Sequence, residues 1–258
     1  MSRKVLKNKP LVEALLEIKW TLATPAPNVR LDPHFKLLLG RLYDRLSHDY
    51  PYHEQLPSSI LPDEMSAHMV QHRFRHAPDD WPLVQIGPGI LTLNETQKYL
   101  WDDFRARAIN VIRKLYDAHP KTSDLKVESL LLRYIDAVEF DYVSENIFAF
   151  LQDKMNVSLV LPASLFEGNT IRKIPSHFSW QSAFQCDNPR GTVTVRFATG
   201  QKNDKPALMW ETIVQTTNSN LPTLPDGFAD WIDAAHAISD DWFFKLIEGE
   251  LERRFSGD

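Results

Sequence analysis

The spacing of apolar residues divides the chain into segments typical of strands and segments typical of helices. In residues 11–21 apolar and charged side chains alternate, with Leu16 and Ile18 on one side and Glu17 on the other. Such alternation places successive side chains on opposite faces of a strand, so we predict a half-buried strand. Further strands are predicted at residues 66–76, 81–93, 127–140, 176–186, 192–199 and 206–217.

Apolar residues at helical spacing predict four helices, at about 33–50, 94–119, 144–155 and 226–255. Asn94 and Ser144 are residue types that commonly cap the first turn, and we predict that they begin the second and third helices. Gly87-Pro88-Gly89 interrupts the strand before Asn94. Because proline cannot donate a ladder hydrogen bond, we interpret this tripeptide as a bulge or bend within one strand.

The predicted elements repeat in order along the chain. Residues 1–120 read as strand, helix, strands and long helix, and residues 121–258 read the same way. Two similar open sheets can pair at their edges, and helices can then cover one face. We therefore predict an α+β fold in which two similar halves form one compact unit, with a mainly antiparallel, curved sheet backed by long helices.

Composition narrows the classes of function. The formal net charge of −5 argues against a general nucleic-acid-binding protein, which gains most of its affinity from neutralising phosphates. No apolar segment is long enough to cross a bilayer, and no apolar signal core follows the basic first residues, so we expect a cytoplasmic protein. Cys186 is the single cysteine, and its aromatic neighbours indicate a buried structural residue.

Several segments carry a resemblance to a known group of proteins. They are an early Pro-Leu-Val-Glu strand, the segment QIGPGILTLN at residues 85–94, the segment LRYID at residues 132–136, and a closing helix with Ala235-His236. Together they resemble a sporadically distributed family of prokaryotic proteins of about this length that has no established activity. The resemblance implies a shared fold and a patchy distribution typical of accessory or defence-type genes. It implies no catalytic residues.

One carboxylate lies at a position where burial would be costly. Asp136 shares the even-numbered face of its predicted strand with apolar residues, so it needs a partner or a ligand. Arg133 lies on the opposite face of the same strand and needs a partner as well. These observations define a candidate ligand-binding set, in which the last three residues are lesser members: Arg133, Asp136, Gln85, Asn94 and Glu139.

Histidines suggest two weaker sites. Three of them recur every fourth residue, at His68, His72 and His76. On one helix face they could bind zinc, whereas on a strand they would be too far apart to share one ion, and we predict a strand and therefore no metal. In the last helix His236 is spaced to meet Asp233 and Asp240, which could protonate the imidazole or hold a metal, although an acidic solvent-exposed face is the commoner explanation.

No Walker loop, dinucleotide fingerprint or nucleophile elbow is present, and we predict no cofactor. We therefore expect a non-enzymatic binding or regulatory protein, which recognises a protein partner, a second copy of itself or a small ligand. The alternative is a hydrolase or transferase that uses Asp136 with Arg133 or a histidine-bound metal. The broad apolar face of the last helix provides the candidate interface, formed by Phe228, Ile232, Trp242, Phe243 and Leu246.

Overall fold

The structure, a computed structural model, describes residues 6–96, 98–168 and 170–257. The strands of this part of the chain are β1 (Leu11–Trp20), β2 (Ala23–Ala26), β3 (Val29–Leu31), β4 (Tyr52–Gln55), β5 (His72–Arg75), β6 (Leu83–Gly87), β7 (Ile90–Glu95), β8 (Val127–Glu139), β9 (Ser179–Asp187), β10 (Arg190–Lys202) and β11 (Lys205–Thr217). The α-helices are α1 (Phe35–Leu46), α2 (Trp101–Ala118), α3 (Ile147–Met155), α4 (Phe228–Ile247) and α5 (Glu250–Ser256).

Nine of these strands form one sheet, in the order β4-β5-β6-β7-β1-β8-β11-β10-β9. Every neighbouring pair in it is antiparallel, and β2 and β3 form a separate small pair. The prediction of a mixed α+β fold with a mainly antiparallel sheet is confirmed. The strands predicted at residues 11–21 and 127–140 become β1 and β8, the central pair of the sheet.

The alternation of apolar residues decides which face of the central strands the helices cover. Leu16 in β1 lies opposite Leu132 in β8, and both are fully buried. They belong to one apolar core with Leu42 of α1, Val111 of α2 and Ile232 of α4. Odd-numbered residues of β8 point to the other face, where several are only half-buried. The helices therefore cover the even-numbered face of β8.

The interpretation of Gly87-Pro88-Gly89 as a bend in one strand is wrong. β6 ends at Gly87 and β7 begins at Ile90, and these two residues pair across an antiparallel hairpin. Pro88 and Gly89 form its two-residue connection, and Gly89 has a φ of 75°. Proline followed by a glycine with positive φ is the combination that a type II turn requires. The residues that exclude a regular strand here therefore reverse the chain.

Three predicted helix ends also differ from the structure. Asn94 lies inside β7, and α2 begins at Trp101. The third helix is capped by Asn146, whose side chain accepts hydrogen bonds from the backbone of its first turn, and Ser144 lies before it. The last helix is divided into α4 and α5 at Gly249, whose φ is 109°. None of the helices in the described ranges combines the length and apolar composition that crossing a membrane requires.

Candidate functional site

A cavity of about 360 Å³ lies between the centre of the sheet and the helices that cover it. Its floor contains Tyr134 and Asp136 of β8 and Thr212 of β11. The beginning of α2 and the middle of α4 form two walls, and residues 6–11 form part of a third. Large aromatic side chains contribute much of the lining, namely Tyr99, Trp101, Tyr134, Phe243 and Phe244.

Asp136 is the most deeply buried carboxylate in this cavity, with only 4% of its surface exposed. It lies on the helix-covered face because it occupies an even position in β8, directly opposite Trp210 of β11. Within the described residues its carboxylate takes part in no hydrogen bond. The structure thus places a carboxyl group with open hydrogen-bonding capacity on the floor of a largely apolar cavity.

Burial raises the pKa of Asp136 from 3.8 to about 8, because desolvation disfavours the charged form. The positive charge of Lys202 opposes this effect without cancelling it. Lys202 donates its own hydrogen bond to the backbone oxygen of Pro10 over 3.1 Å, and its burial lowers its pKa. At neutral pH the Asp136 carboxyl of the ligand-free protein is therefore mostly protonated.

A row of polar rings crosses the cavity beside Asp136. The hydroxyl of Tyr134 lies 2.8 Å from the hydroxyl of Tyr99 and 3.0 Å from Nδ1 of His236. The His236 ring is stacked on Trp101, with 3.7 Å between ring centroids and 14° between planes. These contacts connect the floor of the cavity to α2 and α4, and they fix the positions of both helices relative to β8.

Two further polar groups of the lining have defined roles. Lys9 donates a hydrogen bond from Nζ to the backbone oxygen of Tyr99 over 2.6 Å. Ser239 is 2% exposed, and its hydroxyl donates to the backbone oxygen of Ala235 in the preceding turn of α4. The hydroxyl hydrogen of Ser239 is therefore engaged, and its oxygen lone pairs remain as acceptors.

The structure separates the five residues of the predicted ligand-binding set. Asp136 lies in the cavity, whereas Arg133, at an odd position of β8, lies on the other face of the sheet, with Nη2 2.9 Å from Oε1 of Glu211. Arg196 of β10 lies directly opposite Glu211 in β11, and the two charged groups are 3.8 Å apart. Arg133 and Asp136 therefore cannot act on one small substrate.

Gln85 and Asn94 belong to a hydrogen-bond network on that same other face. Gln85 accepts from Nε of Arg73 over 2.7 Å and donates to Oδ1 of Asn94 over 3.2 Å. Asn94 donates to Oε1 of Glu13 in β1 over 2.6 Å. These contacts join four neighbouring strands, β5, β6, β7 and β1, and account for both amides as structural groups.

Glu139 also lies apart from the cavity. It ends β8 on the exposed side, and its carboxylate is 3.3 Å from Nζ of Lys205. Of the five predicted residues, the cavity contains Asp136 alone.

The three regularly spaced histidines do not gather. Nε2 of His68 is 3.1 Å from the backbone oxygen of Trp20, whereas Nδ1 of His72 is 2.9 Å from Nε2 of His53. His76 is exposed beyond the end of β5. Among the described residues no group of three or more His, Cys, Asp or Glu side chains has a geometry suited to a metal ion.

The five residues of the interface predicted on the last helix differ in their exposure. Phe228 and Ile232 are buried in the core of the chain itself and have no surface to offer a partner. Trp242, Phe243 and Leu246 are half-buried against a second apolar cluster. The predicted interface is wrong for the first two residues, because α4 directs them onto the sheet.

The predicted pairing of His236 with Asp233 is not formed within the described residues, because Asp233 pairs elsewhere. Asp233 forms a two-pronged pair with Arg105 of α2, at 2.5 and 2.7 Å, while His236 faces Tyr134. Tyr134 shares the even-numbered face with Asp136, so alternation along β8 was the available signal for it. Thr212 and Ser239 carried no such signal, since only the packing of β11 and α4 brings them to the cavity.

No family model matches the sequence, and no curated protein matches it. Among solved structures the chain is similar to the crystal structure of DynU16, a protein in the dynemicin biosynthetic locus, with 11% sequence identity and a TM-score of 0.22. The match covers 90% of this chain and 98% of that chain. A likeness at this TM-score supports no argument about function.

Proposed function

We propose that the protein is a non-enzymatic binding protein that holds a small, largely apolar ligand between the sheet and helices α2 and α4. The observation that carries this proposal is the cavity of about 360 Å³ with the buried carboxyl of Asp136 on its floor. Binding sites for small molecules typically have volumes of about 300–1,000 Å³, apolar and aromatic walls and a few polar groups that orient the ligand.

The burial of Asp136 supports this proposal on energetic grounds. A polar group removed from water without a hydrogen bond costs stability, so such groups usually have partners in a folded protein. A bound ligand that contacts Asp136 would supply the missing partner. Without a ligand, burial of the Asp136 carboxyl lowers the stability of the fold, and the described side chains around it provide no hydrogen bond that would compensate.

The alternative function, a hydrolase or transferase that uses Asp136 together with Arg133, is weakened because Arg133 does not reach the cavity. Arg133 is paired with Glu211 on the face of the sheet away from Asp136. Asp136 remains a candidate general acid, since its pKa of about 8 keeps it protonated at neutral pH. Because ligand binding needs only the cavity and catalysis needs further groups in defined positions, binding is the function that we favour.

The test is native mass spectrometry of the protein purified gently from its own host. We expect the wild-type protein to retain a small molecule. Ser239→Phe places a bulky ring in the cavity and is expected to lose that molecule, whereas Ala106→Phe adds the same ring on the exposed side of α2 and is expected to keep it. Circular dichroism establishes that both variants are folded.

Two outcomes of that experiment would contradict the proposal. One is a wild-type mass equal to that of the bare polypeptide under conditions that preserve non-covalent complexes. The other is a retained molecule that persists undiminished in folded Ser239→Phe, because such a molecule binds elsewhere. A co-purifying protein, or a second copy of the chain, would instead support the prediction of a protein partner.

We infer in addition that the chain arose by duplication and that its sheet is curved, with halves at residues 1–120 and 121–258. The element order supports this: β1, α1, the strands β4 to β7 and α2 are followed by β8, α3, the strands β9 to β11 and α4. β1 and β8 begin the two halves and pair with each other. The resemblance to a sporadically distributed prokaryotic family, and an accessory or defence-type role, remain predictions.

A further inference from the structure

The polar groups on the floor of the cavity differ in what they can offer a ligand. Ser239 donates its hydroxyl hydrogen to Ala235 and retains acceptor lone pairs. Thr212, 3% exposed, adds a second hydroxyl oxygen, and Asp136 adds two carboxyl oxygens. Lys9, which lines the same cavity, directs its ammonium group at the backbone oxygen of Tyr99. Once Asp136 is ionised, the floor is therefore suited to a ligand that donates hydrogen bonds.

We propose that the ligand is an organic cation, a protonated amine on an apolar or aromatic body, whose ammonium group lies against Asp136. This inference rests on the proposed function and specifies its ligand class. The ammonium group would donate hydrogen bonds to the carboxylate of Asp136 and to the hydroxyl oxygens beside it, and the apolar body would fill the space between α2 and α4.

The aromatic lining supports a cation over the other classes of ligand. The faces of tyrosine and tryptophan rings attract ammonium groups, and sites for alkylated ammonium ligands commonly combine several such rings. Within the described part of the chain, five tyrosine, tryptophan and phenylalanine residues line this cavity. An anionic ligand would instead lie against Asp136, whose ionised form would repel it.

The protonation of Asp136 gives this inference a distinctive signature. Its pKa is about 8 in the ligand-free protein, and a nearby ammonium charge favours the ionised form. Binding of the cation below pH 8 must therefore release a proton, and affinity must rise with pH as the carboxyl ionises. Among the described residues, the other titratable groups that face this region are Lys202 from β10, Lys9 before β1, Tyr99 before α2, Asp102 and Asp103 from α2, Tyr134 from β8, and His236 and Asp240 from α4.

The experiment is isothermal titration calorimetry with two probes of the same shape. Tryptamine carries an ethylammonium group on an indole ring, and tryptophol carries a hydroxyl in its place. We expect tryptamine to bind wild-type protein at pH 7.5 at least about tenfold more tightly than tryptophol, as a charge-assisted hydrogen bond in a buried site would give. Asp136→Asn should lose that preference, and Arg133→Gln, altered on the other face of the sheet, should keep it.

The dependence on pH separates a direct role of Asp136 from a structural one. Between pH 6 and pH 8 the ionised fraction of a carboxyl with a pKa of about 8 rises from about 1% to about one half. Tryptamine affinity should therefore rise by up to about fiftyfold in the wild-type protein, and it should stay nearly constant in Asp136→Asn.

Equal binding of tryptophol and tryptamine would overturn this inference and leave the proposed function in place. Failure of both probes to bind would also overturn it, because the cavity would then reject a cation that fits its volume. The proposed function itself is contradicted by a different result: native mass spectrometry that detects no small molecule whose retention depends on the cavity. The two failures are therefore distinguishable.

Discussion

Asp136→Asn should make the free energy of unfolding less sensitive to pH. The folded protein holds this carboxyl at a pKa of about 8, against 3.8 for the exposed group. Between these two values the folded chain retains a proton that the unfolded chain releases. The contribution of Asp136 to stability is therefore fully present below about pH 4 and is lost as the pH rises toward 8.

The size of the effect follows from the difference of about four pKa units. Each pH unit between 4 and 8 lowers the stability of the wild-type protein by about 1.4 kcal/mol through this group, or about 4 kcal/mol between pH 5 and pH 8. Asparagine cannot ionise and has nearly the same shape. The stability of Asp136→Asn relative to wild type should therefore rise by this amount over the same interval.

The assay is urea unfolding at pH 5, 6, 7 and 8, monitored by tryptophan fluorescence, with protein that has been freed of ligand by unfolding and refolding. Taking the difference between variant and wild type cancels the other titrating groups. Glu139→Gln, on the exposed side of the same strand, is the matched control and should run parallel to wild type. A difference between Asp136→Asn and wild type that does not change with pH would refute the reasoning.

Three further substitutions test the fold. Gly89→Ala should destabilise the protein by about 1–3 kcal/mol in urea unfolding, because a Cβ at this positive φ would lie 2.5 Å from His68, whereas Gly40→Ala in α1 meets no atom within 4 Å and should be neutral or stabilising. Asn146→Ala should cost about 1 kcal/mol by removing the cap of α3, and Ser144→Ala should cost less than about half of that. Phe228→Ala should lower the free energy of unfolding by about 3–5 kcal/mol, since Phe228 is a core residue, and should leave the oligomeric state in size-exclusion chromatography unchanged. Dissociation of an oligomer without loss of stability would instead show that Phe228 is an interface residue.

The sequence predicts the long central strands of this fold well because alternation is a local property, whereas the short strands β2, β3 and β4 are not predicted. β1, β8, β10 and β11 all place every second residue in the core, and each has a matching apolar pattern. Turns and helix caps are harder to predict from the sequence, because the same residue type occurs in several kinds of local structure. Asparagine is a common helix-capping residue, yet Asn94 lies within a strand. Its side-chain amide donates a hydrogen bond to Glu13 of the neighbouring strand, 81 residues earlier in the chain.

The candidate site shows the same limit. Asp136 could be identified because a carboxylate within an apolar alternation requires an explanation. Gln85 could not be assigned to a face relative to Asp136, since that depends on the register of the strands between them. The contact of Tyr134 with His236 spans 102 residues and follows from the docking of α4, which no local pattern reports.

The central claim, that this chain binds a small ligand between its sheet and α2 and α4, is tested most directly by a crystal structure of the protein as it is purified from its own host. We predict electron density for a small molecule in the cavity, with a hydrogen-bond donor of that molecule within about 3 Å of the Asp136 carboxyl. A cavity closed by the protein's own side chains, with Asp136 hydrogen-bonded to one of them, would contradict the account.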